Sequence, residues 1–348
     1  MDRPKVLLLG KIEHAHDTWA SIGRLADVVT PRATNRADFL RECRSGALDG
    51  ISVAYRTFES VSVTGRVDAE LLSALPRTLR FVCHNGAGYD SVDVPACDAR
   101  GVLVSNAPTA VDDSTADLGI FLMLGAMRNL NPGMRSLREG RWRGEGGALP
   151  ALGHDPQGKV LGILGMGGIG RNVARRAARA FGMRIRYHNR ARLAPEVEAE
   201  CAAEYVGFEE LLRSSDVLSL NLPLNSQTHH LISDAQFAQM KPGVVIVNTA
   251  RGAVMDEAAL VSALRSGRVG GAGLDVYEDE PRVHPGLVAD PRVLLVPHMG
   301  TWTVETQTKM EEWTMSNVRA ALERGTLRSV VPEQRDMLPS SSTPASRP

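Results

Sequence analysis

The segment Gly165–Gly170, with the sequence GMGGIG, constrains the fold of this chain more than any other. It follows the apolar run Val160–Leu164 and opens a stretch in which Ile169, Val173 and Ala177 recur at four-residue spacing. This order indicates a strand, a tight turn and a helix. Here the first glycine permits the turn, the second lets backbone approach a pyrophosphate, and the third lets the helix pack on the strand. The segment therefore predicts a parallel α/β sheet with a dinucleotide phosphate at the helix N-terminus.

Length and charge narrow the class of protein further. The 348 residues are too many for one typical core and suit two α/β domains. Forty basic and 40 acidic residues give zero formal net charge, which leaves no basic field for nucleic acid or anionic lipid. The N-terminus lacks a signal layout, no apolar run reaches the ~20 residues of a membrane span, and four scattered cysteines lack zinc-ligand spacing. We expect a cytoplasmic protein with no metal, no nucleic-acid partner and no membrane association.

Short apolar runs alternate with helix-like stretches along most of the chain, which is the pattern of doubly wound parallel sheets. A final helix leads back from the second series of runs to the first. We predict an α/β protein of two such domains, the second inserted into the first. The predicted parts are a flavodoxin-like substrate domain over 1–112 and 304–333, a Rossmann NAD(P)-binding domain over 113–303, and a disordered Pro/Ser-rich tail over 334–348.

A long apolar helix is predicted over residues 114–138. Its centre, Leu118–Met127, is apolar on every side, so we expect it to be buried all round, between domains or between subunits. The residues that follow, 140–156, are rich in Gly, Pro and Arg and indicate a loop before the second series.

The strand predicted after the glycine turn ends in Asn189, Arg190 and Arg192, where an NAD site usually places an acid for the ribose 2′-hydroxyl. A carboxylate would repel a 2′-phosphate, whereas the two arginines would pair with it. Charge-assisted hydrogen bonds contribute roughly 1.5–3 kcal/mol each. We therefore predict NADPH over NADH, the alternative being that both arginines are ordinary surface charges.

Three later segments each place a chemically active side chain after a predicted strand. Arg251 can grip a carboxylate with two parallel hydrogen bonds. His298 suits proton transfer to a carbonyl oxygen, although an isolated histidine is more often a satisfied core residue. The acidic loop Glu278–Glu280 can supply a carboxylate that stabilises an imidazolium and fixes its tautomer. Spacing does not decide which of the acids faces the histidine.

The N-terminal domain adds a loop of small residues, Asn85, Gly86, Ala87 and Gly88, after a predicted strand. Consecutive small residues leave backbone N–H groups free to bind a substrate carboxylate, an arrangement called a nest, whereas a simple turn is the alternative. A loop of this kind facing Arg251 across a cleft would let substrate binding close the domains and exclude water. An anion clamp, an acid and a proton carrier beside a nicotinamide suit the reduction of a 2-oxo acid.

These segments resemble those of the D-isomer-specific 2-hydroxy acid dehydrogenases over residues 6–331, and within them the fungal glyoxylate reductases and glyoxylate/hydroxypyruvate reductases. The motifs that carry the resemblance are Gly86–Asp90, Thr115–Asp117, Gly165–Gly170, Asn248–Gly252, Gly273–Pro281 and Pro297–His298. The resemblance implies that Arg251 binds the substrate carboxylate, that His298 is the acid/base and that Glu280 is its partner. It also implies a homodimer built on the helix from Ser114.

For the cofactor, the resemblance implies that Asp275 holds the nicotinamide amide. The further implied contacts are Thr115, Met166, Gly168, Ile169, Leu222, Pro223, Thr228, Thr249, Ala250 and Gly300, beside Gly165, Gly167, Gly170, Asn189, Arg190 and Arg192. The ending Tyr187–Arg190 departs from the acidic ending of NAD-linked members, which supports NADPH. The segment Met299–Trp302 departs from the usual continuation, and Trp302 would cap the substrate pocket.

We therefore expect an NADPH-dependent reductase that produces D-2-hydroxy acids, with glyoxylate or hydroxypyruvate as the favoured substrate. A reductase for bulkier substrates, such as phenylglyoxylate or branched-chain 2-oxo acids, is the alternative within the enzyme class. The pocket volume near Tyr55, Arg56 and Trp302 would distinguish the two. A nucleotide-sensing binding protein of the same fold is the alternative outside that class.

Overall fold

The computed structural model describes residues 3–142 and 151–337. These fall into two compact units, one within Met1–Ala110 and Thr303–Pro348 and the other within Val111–Trp302. Each unit is a parallel sheet flanked by helices, so the predicted fold class of two doubly wound α/β domains is confirmed.

The first unit is built on a five-stranded parallel sheet. Its strands are β1 (Lys5–Leu9), β2 (Asp27–Val29), β3 (Ile51–Thr57), β4 (Phe81–Asn85) and β5 (Leu103–Ser105). Its first helices are α1 (His16–Leu25), α2 (Arg36–Arg44), α3 (Val61–Thr64), α4 (Ala69–Ala74) and α5 (Val94–Ala99). The order β2-β1-β3-β4-β5 is flavodoxin-like, and the winding reverses between β1 and β3. Ligand groups are therefore expected beyond the carboxyl ends of these two strands.

The second unit is built on a seven-stranded parallel sheet in the order β12-β11-β10-β9-β6-β7-β8. Its strands are β6 (Val160–Leu164), β7 (Arg184–His188), β8 (Ala203–Tyr205), β9 (Val217–Leu220), β10 (Val244–Asn248), β11 (Val269–Leu274) and β12 (Val293–Leu295). Its helices are α6 (Asp112–Met127), α7 (Leu130–Arg138), α8 (Gly168–Phe181), α9 (Pro195–Cys201), α10 (Phe208–Ser214), α11 (Asp234–Gln239), α12 (Glu257–Arg265) and α13 (Pro285–Ala289). The winding reverses between β6 and β9, which places the glycine turn at the crevice where doubly wound sheets bind ligands.

Helix α14 (Val304–Arg324) completes the first unit. Its Glu311 is buried, and the carboxylate accepts hydrogen bonds from the backbone N–H groups of Glu13, His14 and Ala15 at 2.7–3.0 Å. A buried carboxylate requires such donors to compensate for lost hydration. Glu311 therefore fixes the loop that follows β1.

The predicted long helix over 114–138 is interrupted. Asn129, with φ of 49°, separates α6 from α7, and Pro132 fits because it lies in the first turn of α7. Within the chain, Leu122 and Met123 at the helix centre are buried and Phe121 is 47% exposed, so burial between subunits stays a prediction.

The predicted disordered tail is wrong for its first residues, 334–337, which lie in the 3-10 helix Pro332–Met337. Gln334 is fully buried there. Its amide nitrogen donates to the Asp98 carboxylate and to the Val102 carbonyl, and its amide oxygen accepts from the Val104 N–H. Residues 338–348, and residues 143–150 of the predicted loop, lie outside the described part of the chain.

Three observations concern membrane spans, metal ligands and cysteines. No helix within the described residues is long and apolar enough to cross a membrane. Across the same residues, no group of three or more His, Cys, Asp or Glu side chains is arranged to hold a metal ion. The cysteines at 43, 83, 97 and 201 are buried free thiols.

Candidate active site

The glycine turn between β6 and α8 has the geometry that a dinucleotide phosphate requires. Gly165 has φ of +96°, and a Cβ atom there would lie 2.7 Å from the Asn221 carbonyl oxygen, so only glycine fits. Gly170 excludes a side chain because its Cβ would collide with the Gly165 carbonyl. Gly167, in contrast, has nothing within 4 Å of a Cβ position, which leaves room beside the N-terminus of α8. The turn therefore fits a pyrophosphate approached by backbone N–H groups.

The other predicted cofactor residues of this region shape the surrounding loops. The Asn189 side-chain oxygen accepts a hydrogen bond from the Met166 N–H at 2.7 Å, which ties the end of β7 to the glycine turn. The Thr228 hydroxyl donates to the Pro223 carbonyl at 2.7 Å and accepts from the Asn225 N–H at 2.8 Å. Thr228 thus closes the loop after β9 that begins at Leu222.

Arg192, predicted to bind the 2′-phosphate, is paired with an acid in this structure. Its guanidinium forms two hydrogen bonds of 2.8 and 2.9 Å to the Glu198 carboxylate, which also accepts from the Tyr187 hydroxyl at 2.6 Å. These donors lower the pKa of Glu198 to about 2. Arg190 is exposed and has no acidic partner among the described residues, so it is the cation that stays available.

Arg251, Asp275 and His298 follow the carboxyl ends of three neighbouring strands, β10, β11 and β12. Asn248, fully buried at the end of β10, shapes the Arg251 segment: its amide oxygen accepts from the Ala250 N–H and its amide nitrogen donates to the Arg251 carbonyl, both at 3.0 Å. Gly252 is required next because a Cβ there would collide with the Tyr277 backbone. Local packing therefore explains the order Asn-Thr-Ala-Arg-Gly.

His298 and Glu280 form a close pair. Nδ1 of His298 lies 2.9 Å from one Glu280 carboxylate oxygen, and the other oxygen accepts from the Tyr277 N–H at 3.0 Å. The neighbouring acids are engaged elsewhere, since Glu278 contacts His230 at 2.9 Å and Asp279 pairs with Arg282. Among the acids that spacing left open, the structure thus brings Glu280 to the histidine.

The electrostatics of the pair favour an ionised Glu280. Partial burial opposes ionisation, but the hydrogen bond and charge of His298, together with the Tyr277 N–H and the Arg251 charge, hold the pKa of Glu280 below its ordinary value. His298 itself has φ of 54°, a left-handed conformation that is uncommon for a residue with a side chain. Such conformations concentrate at functional sites because the surrounding structure must hold them in place.

Asp275 has a positioning role that sequence reasoning missed. It is almost fully buried, and its carboxylate accepts from the Met299 and Gly300 N–H groups, while its backbone carbonyl accepts from the His298 N–H at 2.8 Å. Burial raises its pKa to about 6, although the Met299 N–H and the His298 charge act in the opposite direction. Asp275 therefore holds the turn that carries His298.

Thr115, a predicted cofactor residue, lies against the same turn. Its hydroxyl donates to the Gly300 carbonyl at 3.3 Å, and the Ser114 hydroxyl donates to the same oxygen at 2.8 Å. Thr249 and Ala250 lie in the Arg251 segment described above. The residues predicted to contact the nicotinamide thus lie at the start of α6 and just after the ends of β10 and β11.

In the loop Asn85–Gly88, the carbonyls of the last three residues are held. The Gly86 N–H donates to the His84 carbonyl at 3.1 Å. The Gly86 carbonyl accepts from the Ala107 N–H, the Ala87 carbonyl from the Asn106 amide, and the Gly88 carbonyl lies 2.9 Å from Nε2 of His84. The N–H groups of Ala87 and Gly88 have no acceptor within the described residues. This arrangement suits an anion.

Tyr55 and Arg56, near which the substrate pocket was expected, both have fully buried side chains. The parallel register of β3 and β4 pairs them with Cys83 and His84. Trp302 is 65% exposed and Met299 is 38% exposed, so the turn that carries His298 presents apolar surface.

Comparison with known proteins covers nearly the whole chain. Residues 120–300 match the family model described as D-isomer specific 2-hydroxyacid dehydrogenase, NAD binding domain. The 4-methyl-2-oxopentanoate reductase A of Aspergillus oryzae is 53% identical over 334 residues, which cover 96% of this chain and 99% of that protein. Glyoxylate reductase 1 of Saccharomyces cerevisiae is 47% identical over 348 residues, which cover 98% and 99%.

Solved structures show the same likeness. A glyoxylate reductase from Paecilomyes thermophila is 52% identical with a TM-score of 0.92, covering 96% of this chain and 100% of that chain. The holo D-mandelate dehydrogenase of Rhodotorula graminis is 35% identical with a TM-score of 0.89, covering 95% and 98%. The NADPH-dependent glyoxylate/hydroxypyruvate reductase of Sinorhizobium meliloti, with NADP and malonate, is 31% identical with a TM-score of 0.82, covering 95% and 98%.

Proposed function

The chain belongs to the D-isomer specific 2-hydroxyacid dehydrogenase family, and we propose that it reduces glyoxylate and hydroxypyruvate to 2-hydroxy acids with NADPH. It is an oxidoreductase with a nicotinamide cofactor. The observation that carries the proposal is the 2.9 Å pairing of His298 with Glu280 on the turn after β12. A reductase of this kind needs a proton donor held in one tautomer.

Each residue of the site has a chemical task in the proposed reaction. Bound NADPH would supply the hydride for the carbonyl carbon. The Arg251 guanidinium binds the carboxylate of the 2-oxo acid. In the first unit, the N–H groups of Ala87 and Gly88 suit a carboxylate. His298 donates the proton from Nε2 to the carbonyl oxygen, because Nδ1 faces Glu280. Glu280 stabilises the imidazolium that must be present before the proton moves.

The preference for NADPH rests on Arg190. The glycine turn fits the pyrophosphate, and no acid occupies the end of β7, where a carboxylate would select against a 2′-phosphate. Arg192 is neutralised by Glu198, so Arg190 is the residue we assign to the phosphate. The NADPH-dependent structure among the relatives supports this assignment.

A second candidate substrate is 4-methyl-2-oxopentanoate. The exposed apolar side chains of Met299 and Trp302 adjoin His298 in the sequence and offer contact surface for a branched-chain substrate. The name of the Aspergillus oryzae relative supports the same choice.

We also assign a homodimer to this enzyme. Phe121, Leu130 and Leu137 on α6 and α7 are 42–59% exposed, and large exposed apolar side chains on adjacent helices suit a self-complementary interface.

Initial rates of reduced-cofactor oxidation test the proposal. The purified chain is assayed with glyoxylate, hydroxypyruvate and 4-methyl-2-oxopentanoate, each with NADPH and with NADH. We expect higher kcat/KM for the two small substrates and for NADPH. Faster turnover of 4-methyl-2-oxopentanoate would replace the substrate assignment, and equal use of NADH would remove the Arg190 argument. No turnover of any 2-oxo acid, in protein that binds NADPH, would contradict the proposed function.

A further inference from the structure

Arg56 is the largest of the fully buried side chains of the chain. The parallel register of β3 and β4 sets it beside His84, and its Nη1 lies 3.2 Å from His84 Nδ1 and 2.9 Å from the Ser91 hydroxyl. No carboxylate forms an ion pair with it within the described residues. Its Nε and Nη2 atoms are buried without a hydrogen-bond acceptor there.

Stability does not account for a cation in this position. Burial lowers the pKa of Arg56 to about 10, and the charge of Asp90 acts in the opposite direction. A buried charge with unsatisfied donors destabilises a fold, whereas an apolar side chain of similar volume does not. Unsatisfied buried polar groups call for a functional explanation when they lie beside a site.

Two contacts of the His84 ring indicate its tautomer. The Gly88 carbonyl can only accept, so Nε2 of His84 carries the hydrogen. The Arg56 guanidinium can only donate, so Nδ1 of His84 carries none. Arg56 thereby selects the neutral tautomer that bonds to Gly88. A Cβ on Gly86 would lie 2.8 Å from Nε2, which shows how closely the loop surrounds the imidazole.

We propose that Arg56 is a positioning residue for a carboxylate-binding loop at Asn85–Gly88. Through His84 it fixes the Gly88 carbonyl, so that the N–H groups of Ala87 and Gly88 stay turned away from protein acceptors. It also keeps a positive charge one imidazole ring away from that loop, which favours an anion there. The anion is a carboxylate, the class to which the proposed 2-oxo acid substrate belongs, so this inference rests on the proposed function.

Substitution of Arg56 separates this role from a purely structural one. In Arg56→Met we expect KM for the 2-oxo acid, and Kd for oxalate measured by calorimetry, to rise at least tenfold. We expect kcat to change less than threefold and Kd for NADPH to stay unchanged, because the glycine turn lies in the other unit. Arg56→Lys keeps the charge, but its shorter side chain displaces the donor that contacts both His84 and Ser91, so its KM should rise about three- to tenfold. Arg80→Met, which removes an exposed charge just before β4, is the matched control and should behave as wild type.

The result that overturns the inference is an Arg56→Met protein with wild-type KM and wild-type oxalate affinity, or one in which only kcat falls. If Arg56→Met does not fold, Arg56→Lys with wild-type constants overturns it equally. Kd for oxalate can be measured in protein that does not turn over substrate. A wild-type chain that neither reduces a 2-oxo acid nor binds oxalate contradicts both proposals, whereas wild-type turnover with unchanged Arg56→Met constants contradicts this one alone.

Discussion

Replacing Glu280 with glutamine tests the electrostatic part of the mechanism most sharply. The amide keeps the shape of the side chain and can still accept from Nδ1 of His298, but it removes the negative charge 2.9 Å away. A hydrogen bond to a charged group contributes roughly 1.5–3 kcal/mol. Since about a third of the His298 side chain is exposed, we take the lower part of that range, about 1.5–2 kcal/mol. The imidazolium should therefore be destabilised by that amount.

The expected consequence is a pH-dependent loss of reductase activity. A change of about 1.5–2 kcal/mol is about ten- to thirty-fold in rate at a pH where His298 must gain its proton from solvent. In Glu280→Gln, the loss of kcat should disappear at low pH, where wild-type Glu280 is itself protonated; because its pKa is lowered, this happens below the ordinary value of 4.5. Stopped-flow rates of NADPH oxidation across the pH range measure both effects. Asp279→Asn is the control, because Asp279 is exposed and pairs with Arg282. An unchanged pH profile in Glu280→Gln would refute the reasoning.

Three further predictions concern stability, measured by urea unfolding. Gly252→Ala should cost about 1–3 kcal/mol because its Cβ collides with backbone, whereas Gly207→Ala, with open space around it, should be nearly neutral. Glu311→Ala should cost about 3 kcal/mol or more because three backbone N–H groups lose their acceptor; a loss as small as that of exposed Glu312→Ala would contradict this. The pKa of Glu198 is about 2 when folded against an ordinary 4.5, so wild type should exceed Glu198→Gln in stability above pH 4.5 and lose that advantage as the pH falls toward 2. A difference that persists at pH 2 would be inconsistent with the Arg192 pairing.

The sequence predicted the fold wherever apolar periodicity and glycine chemistry act locally. The strand β6, the glycine turn and the start of α8 follow from such signals. The edge strands β2 and β8 have three residues each, which carry too little apolar pattern to predict a strand. The break at Asn129 was missed although Pro132, which only the first turn of a helix tolerates, was an available signal.

For the candidate site too, the sequence predicted some features and not others. Residues at strand ends could be named because parallel strands end at one edge of a sheet. Contacts that depend on register or on a separate helix could not be named. The Arg192–Glu198 pair requires the packing of α9 against β7, and the Arg56–His84 contact requires the register of β3 and β4. The hydrogen bonds by which Asp275 holds the His298 turn, and the contact of Arg56 with His84, therefore emerged only from the structure.

The most direct test of the account is the turnover number of a His298→Asn variant in NADPH-dependent reduction of glyoxylate. Asparagine tolerates the left-handed backbone of this position, so the fold should be preserved. We predict that kcat falls by about 10²–10⁴ while Kd for NADPH stays unchanged. Turnover close to wild type in a variant that still binds NADPH would contradict the assignment of His298 as the proton donor.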